Sequence, residues 1–166
     1  MQLEKDSFYI ALRDRLTRVN PARTVTVNGT TRPGIAVGEN ECPGLEELLL
    51  GVFWLGWGAE SKIIASAYGQ VALHLLECTI DYRVEGTDGN GNADRGRQLT
   101  AMDAELRRIC SPLWAAVYDY TQSPATALGT KIFWTAPKLA SPKNDGKLLT
   151  RSAIVQLYYF PEAQAA

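Results

Sequence analysis

The sequence is poor in the residues that build most catalytic and metal centres. It contains one histidine, His74, and three cysteines, Cys42, Cys78 and Cys110, in 166 residues. One imidazole cannot form a histidine-based metal cluster, and these widely spaced cysteines form no CxxC pair, so a zinc site is not expected. We expect reduced thiols, and we interpret His74 as a structural residue on the apolar face of a strand.

An excess of charge and a long apolar run are also absent. Seventeen basic and eighteen acidic residues give a net charge of -1, which does not favour binding to phosphate backbones. No stretch approaches the roughly 20 apolar residues that span a bilayer, and the N-terminus has no secretory signal pattern. We therefore expect neither nucleic acid nor membrane as a partner, and we expect the protein to be made and kept in a cytoplasm.

Periodic patterns are clear at the start of the chain. Its 46% hydrophobic content suffices for one core, which predicts a single domain over 1–166. Apolar residues at helical steps predict a helix from Asp6 to Asn20. Next, Arg23 to Val27, the turn Asn28-Gly29 and the returning run Ile35 to Val37 predict a hairpin whose second arm starts at a sheet edge.

The later segments add strands and a second helix. Alternation predicts a strand over 76–84, helical spacing predicts a helix over 99–113, and apolar runs predict strands at 132–134 and 153–160. Residues 84–98 read as a flexible loop and 161–166 as a frayed tail. Since strands and helices do not alternate regularly, we expect an α+β fold with helices packed on one mixed or mostly antiparallel sheet.

One segment resembles a metal loop. Its oxygen-bearing side chains stand at alternate positions, as in calcium loops, and are Asp88, Asn90, Asn92 and Asp94. However, Ala93 occupies the position of the required glycine, and Leu99 that of the bidentate glutamate. A turn followed by a helix cap explains the same residues, so we expect no metal. The sequence also lacks a phosphate-binding loop and a nucleophile elbow, and we expect no enzyme activity and no cofactor.

Aromatic and apolar residues give the remaining signal. The densely apolar run from Leu45 to Trp57 is ambiguous and fits a short helix followed by a strand, whereas the final strand is apolar on both faces. Because aromatic side chains are enriched at interfaces, we predict an assembly surface from these two segments. Its candidates are Leu50, Phe53, Trp54, Trp57, Ile154, Tyr158 and Phe160.

The order of elements resembles the tail terminator, or minor tail protein, family of long-tailed bacteriophages. The matching pieces are the helix from Phe8 to Leu16, the segment Arg32 to Val37, the strand from Leu76 to Val84 with its polar connection, the helix from Leu99 to Cys110 and the closing strand. The resemblance implies a virion protein that forms a ring of six copies, stops growth of the tail tube and docks the head-proximal connector. Its partners are then itself, the tail tube protein and the connector.

Two alternatives stay open. One is a head-tail connector or neck subunit of the same particle, which uses the same ring architecture. The other is a small enzyme or ligand-binding domain with a pocket lined by Trp54, Trp57 and Trp134 near His74.

Overall fold

A computed structural model describes residues 2–39, 50–59, 61–66, 71–87, 89, 91 and 93–161. These contain two helices and eleven strands. In chain order the elements are α1 (Gln2–Val19), β1 (Thr24–Val27), β2 (Thr30–Pro33), β3 (Ile35–Val37), β4 (Phe53–Trp57), β5 (Lys62–Ala65), β6 (Leu73–Glu85), α2 (Arg95–Ile109), β7 (Trp114–Asp119), β8 (Thr126–Trp134), β9 (Lys138–Leu139), β10 (Lys143–Asp145) and β11 (Leu148–Tyr159). Within these ranges, neither helix has the length and apolar character needed to cross a bilayer.

Nine of the strands form one mixed sheet, and β1 and β2 form a separate hairpin. The main path runs β3-β4-β6-β11-β8-β7, with β5 also on β6, and with β9 and β10 also on β11. The β3–β4 pair is parallel, and the other pairs are antiparallel. The predicted combination of helices with a mixed, mostly antiparallel sheet is confirmed at this level, although strand outweighs helix.

Helix α1 follows the apolar stripe that predicts it. Phe8, Leu12 and Leu16 are fully buried, and the Phe8 ring meets the rings of Trp57 and Trp134 edge-on at centroid distances of 5.8 and 5.3 Å. The helix begins at Gln2, earlier than predicted. Tertiary contact stabilises this added turn, as shown by the burial of Glu4, Lys5 and Ser7.

The hairpin forms at the predicted turn but with a different second arm. Asn28 and Gly29 have φ angles of 49° and 78°, as a two-residue turn between antiparallel strands requires. This turn places Val27 opposite Thr30, so the polar β2 is the returning strand and the prediction that Ile35 to Val37 returns was wrong. That apolar run is β3, which pairs with β4 and lies at one end of the main sheet path.

The long strand β6 and helix α2 carry most of the remaining core. The predicted alternation is confirmed, since Leu76, Cys78, Ile80, Tyr82 and Val84 are all buried. Helix α2 buries one stripe and ends at Ile109, before Pro112. The structure corrects the prediction at Leu113, which lies outside the helix and is 52% exposed.

The connection between β6 and α2 is shorter than predicted. Strand β6 extends to Glu85 and α2 begins at Arg95, so only 86–94 connects them. Residues 45–49 of the ambiguous apolar run and 162–166 of the predicted tail lie outside the described residues. The strand predicted at the end of that run is present as β4. Strands β2, β5, β7, β9 and β10 were not predicted.

Candidate functional site

The main sheet has two faces that differ in what covers them. We call the face that carries Ile80 and Val155 the inner face; both side chains are fully buried in a cluster that includes residues of α1 and α2. The opposite, outer face carries the alternate residues of the same strands, such as Thr79 and Ile154, which stand directly opposite each other. Consecutive strand residues point to opposite faces, so strand register assigns each side chain to a face.

One half of the outer face is covered by the chain's own hairpin. Trp54 on β4 stands opposite Asp81 on β6, which places it on the outer face. It is 7% exposed and packs in a small separate cluster with Val25, Ala36 and Val52, against which Val27 also packs. The β1–β2 hairpin thus covers the part of the outer face that β3 and β4 form.

The other half of the outer face carries a line of large side chains that no described element covers. Register pairs Trp114 with Phe133, Phe133 with Tyr158, and Tyr158 with Leu75. Residues directly opposite on neighbouring strands share a face and lie side by side. We call these four residues the aromatic row. Trp114 is 50% exposed and Phe133 43% exposed, while Tyr158 and Leu75 are half-buried.

A cation borders the aromatic row. The Lys131 ammonium lies 4.1 Å from the centre of the Trp114 ring, and Lys131 is two residues from Phe133 on the same strand. This geometry is typical of a cation–π contact. The end of the row at β7 is therefore both apolar and positively charged.

The structure divides the predicted interface residues between core and surface. Tyr158 belongs to the aromatic row, and Ile154 and Phe160 are 42% and 43% exposed, so the final strand does present an apolar outer side. By contrast, Phe53 is fully buried against Tyr82, and Trp54 is buried under the hairpin. The prediction that Phe53 and Trp54 belong to an assembly surface was therefore wrong, because these two side chains belong to the chain's own core.

The last two candidates from that run, Trp57 and Leu50, also differ in their surroundings. Trp57 is half-buried, meets Phe8 and lies 5.5 Å below the Lys5 ammonium. Leu50 is 49% exposed, and the neighbouring Gly51 N–H donates to the Arg83 carbonyl, which places Leu50 near the far end of β6. Leu50 is therefore exposed but remote from the aromatic row.

The three tryptophans of the alternative pocket do not share a cavity. Trp54 is on the outer face, whereas Trp57 and Trp134 both pack on Phe8 on the inner side. His74 lies with its Nδ1 atom 3.0 Å from the Ser61 hydroxyl oxygen and its ring 5.4 Å from that of Tyr159. His74 is therefore a half-buried residue whose hydrogen-bond partner is the Ser61 hydroxyl.

The predicted metal loop is described only in part. Asp88, Asn90 and Asn92 lie outside the described residues. The Asp94 carboxylate accepts hydrogen bonds from the Thr87 hydroxyl, the Thr87 backbone N–H and the Gln98 amide. These donors, the Thr87 hydroxyl first, lower the pKa of Asp94 well below its usual value. Within the part of the chain that is described, no cluster of three or more His, Cys, Asp or Glu residues is placed to hold a metal.

One buried polar contact, which the sequence did not predict, joins α2 to the sheet. The Tyr82 hydroxyl donates to the Asp103 carboxylate at 2.5 Å, and the Arg151 Nε atom lies 3.3 Å from the same oxygen. Burial and then the hydrogen bond to Asp103 raise the pKa of Tyr82 far above its usual value. The Tyr82 hydroxyl therefore stays protonated near neutral pH, so this contact is structural.

The described cysteines are buried, whereas Cys42 lies outside the described residues. Cys78 and Cys110 are free, and burial raises the pKa of both thiols, that of Cys110 to about 12. Since the thiolate is the reactive form, burial disfavours a nucleophilic role for either side chain.

Comparison with known proteins adds no functional name. No family model matches the chain, and no curated protein matches it. One solved structure, whose printed name describes no function, is similar to it over 97% of each chain, with 11% sequence identity and a TM-score of 0.43.

Proposed function

We propose that the chain is a structural subunit of a bacteriophage tail, a terminator that forms a ring of six copies at the head-proximal end. In this proposal the ring ends polymerisation of the tail tube and docks the connector. It is assembled in the host cytoplasm, becomes part of the virion and needs neither a cofactor nor catalytic chemistry. The order of elements suggests the family, and the aromatic row supports a role in assembly.

The aromatic row carries the proposal because of its size. A fully exposed aromatic side chain offers about 150–250 Å², so three partly exposed ones with Ile154 and Phe160 present roughly 300–500 Å². That is as large as the largest apolar patch of a typical monomer, and about half of the ~800 Å² that one partner contributes to a stable interface. A partner that covers the row therefore adds contacts beyond it.

The arrangement of the helices fits this division of surfaces. Leu12 of α1 and Met102 and Leu106 of α2 belong to the same buried cluster as Ile80 and Val155 of the sheet. We propose that both helices cover the inner face of one single-domain sheet. The outer half with the aromatic row then remains for neighbouring copies.

The proposed mechanism is steric. A subunit that associates through two different surfaces makes a heterologous contact, and such a contact closes a ring when its rotation divides a full turn. The ring then occupies the tube end and offers no surface equivalent to that of a tube subunit. Tube growth stops because the next tube subunit has no matching contact.

Two other functions are separated from this one by simple observations. A connector or neck subunit also forms rings. Adding such rings to polymerising tail tube protein should leave tube length unchanged, whereas a terminator should stop tube growth. A small enzyme or ligand-binding domain that uses His74 works as a monomer or dimer, and it loses its activity on His74→Ala substitution.

The test combines native mass spectrometry with negative-stain imaging. The natural sequence is expected to form sixfold rings, and Phe133→Ser to weaken assembly by roughly 30-fold or more, as loss of a central interface aromatic does. Leu50→Ser is the matched control, since Leu50 is similarly exposed but lies away from the row, and it should leave ring formation unchanged. A natural chain that stays monomeric even with tube protein present would overturn the proposal.

A further inference from the structure

At one end of the sheet, five strands lie side by side in the order β5-β6-β11-β8-β7. The outer line of side chains at this level begins with Lys62 opposite Leu75 and continues through the aromatic row to Trp114. The next line, on the inner face, pairs Ile63 with His74, His74 with Tyr159, Tyr159 with Ile132, and Ile132 with Ala115. Both lines start on β5 and end on β7.

Among the described residues, β5 and β7 are the outermost strands at this level of the sheet, and each has one edge without a strand partner. All four residues of β5 are exposed, and Ile63 is 63% exposed. An exposed edge strand with apolar side chains is a template for pairing with another chain. Strand β7 pairs with β8 on one side, and its Tyr118 N–H donates to the Ser7 hydroxyl of α1 at 3.0 Å. That contact uses the edge near Tyr118, and within the described residues no strand pairs with the same edge at Trp114 and Ala115.

We propose that β5 of one copy adds to β7 of the next copy, so that the sheets of neighbouring copies join edge to edge. This inference rests on the proposed ring and names its contact. The occupant is a second copy because the chain itself supplies both edges, and because each edge carries a regularly paired stretch for the joint, Lys62–Ile63 ahead of the bulge in β5 and Trp114–Ala116 ahead of the bulge in β7. Joining opposite edges of one sheet is a heterologous contact that repeats from copy to copy.

Strand direction fixes the alignment of the joint. Four successive antiparallel pairings separate β5 from β7, so these strands run in the same direction, and copies related by rotation place them parallel. Continuation of the outer line then sets Lys62 beside Trp114, a cation beside an aromatic ring. Continuation of the inner line sets the large Ile63 beside the small Ala115. The two ends of each line thus match in charge and size.

Disulfide trapping tests the joint directly. In a Cys42→Ser background, chains with Ile63→Cys are mixed with chains with Ala115→Cys and oxidised mildly. Adjacent strands lie about 4.8 Å apart, within the range that a disulfide spans. The matched control replaces Ala115→Cys with Ala127→Cys, an exposed site at the other end of β8. The first pair is expected to form covalent dimers on the order of 100-fold faster, because assembly raises the local thiol concentration.

A second variant gives an independent readout. Ile63→Arg places a long charged side chain at an exposed position of β5 that would lie beside Ala115 of the neighbour, and it should abolish ring formation while the thermal unfolding curve of the monomer is retained. Rings in Ile63→Arg, or equal trapping of both cysteine pairs, would overturn the joint.

The outcomes separate the joint from the ring. Rings without Ile63–Ala115 trapping overturn the joint and leave the proposed function in place. Rapid trapping in open chains that never close supports the joint and overturns the ring. Monomers without trapping, with tube protein present, overturn both.

Discussion

The two halves of the outer sheet face carry the same kind of residue in different surroundings. Trp54 lies under the β1–β2 hairpin and is 7% exposed, whereas Trp114 lies on the uncovered half and is 50% exposed. Both are tryptophans on strands of one sheet, so local sequence does not distinguish them. What distinguishes them is the hairpin: among the described residues, it covers Trp54 and leaves Trp114 half exposed. We propose that another chain covers this second half.

The largest expected effect comes from removing each tryptophan in turn. Trp54→Ala should lower the free energy of unfolding by about 3–5 kcal/mol, because it leaves a cavity under the hairpin. Trp114→Ala should change it by less than about 1 kcal/mol, since a half-exposed side chain loses little packing. Urea denaturation of the dilute monomer measures both values. Equal losses would show that the halves do not differ as described.

A smaller effect is expected from the turn that holds the cover in place. Gly29 has a φ angle of 78°, and nothing lies within 4 Å of where its Cβ atom would be. Gly29→Ala should therefore destabilise the protein by about 1 kcal/mol through backbone strain alone.

The control for the turn is Gly96→Ala in helix α2, where a Cβ atom also meets nothing within 4 Å. It should stabilise by about 0.5–1 kcal/mol, because alanine favours helix. Thermal unfolding of both variants makes the comparison. A stable Gly29→Ala protein would mean that the hairpin does not need this turn geometry.

The smallest effect concerns pH, at a contact outside both halves. Hydrogen bonds lower the pKa of Asp94 in the folded chain, so ionised Asp94 favours the folded state above its unfolded pKa. This contribution is lost as pH falls through the lower, folded pKa.

The pH effect is measured against Asp94→Asn, which cannot titrate. The natural protein should be more stable than the variant at neutral pH, and the difference should shrink in strong acid. Urea unfolding midpoints measured across the acid range check this. A difference that is constant with pH would contradict the assignment.

The sequence predicts the elements that form from local periodicity. Phe8, Leu12 and Leu16 mark α1 at helical steps, and the alternation in β6 identifies its inner face. These signals hold because a helix or strand with one buried side repeats its apolar residues at the period of its own geometry.

The sequence misleads where pairing depends on geometry beyond the strand. The two-residue turn at Asn28-Gly29 forces the polar Thr30 to pair with Val27, although the apolar run from Ile35 onward is the more obvious strand. The residues of that run are all buried and pair in parallel with β4 in the main sheet.

The aromatic row could be predicted only in part. Tyr158 was identified from the two-sided final strand, but Trp114 and Phe133 join it through the register of β7, β8 and β11. That register links positions far apart in the chain, and no local pattern contains it. The same reason explains Phe53 and Trp54, which a dense apolar run cannot divide between core and surface.

The position of β11 in the sheet has a consequence for the order in which the protein folds during synthesis. It pairs with β6 on one side and with β8, β9 and β10 on the other, yet all four of these strands precede it in the chain. Each leaves the ribosome with an edge that stays open until β11 emerges. Long-range pairing of this kind is slow and exposes partly folded chains to aggregation. The nascent protein is therefore most vulnerable in the interval between synthesis of β6 and synthesis of Tyr159.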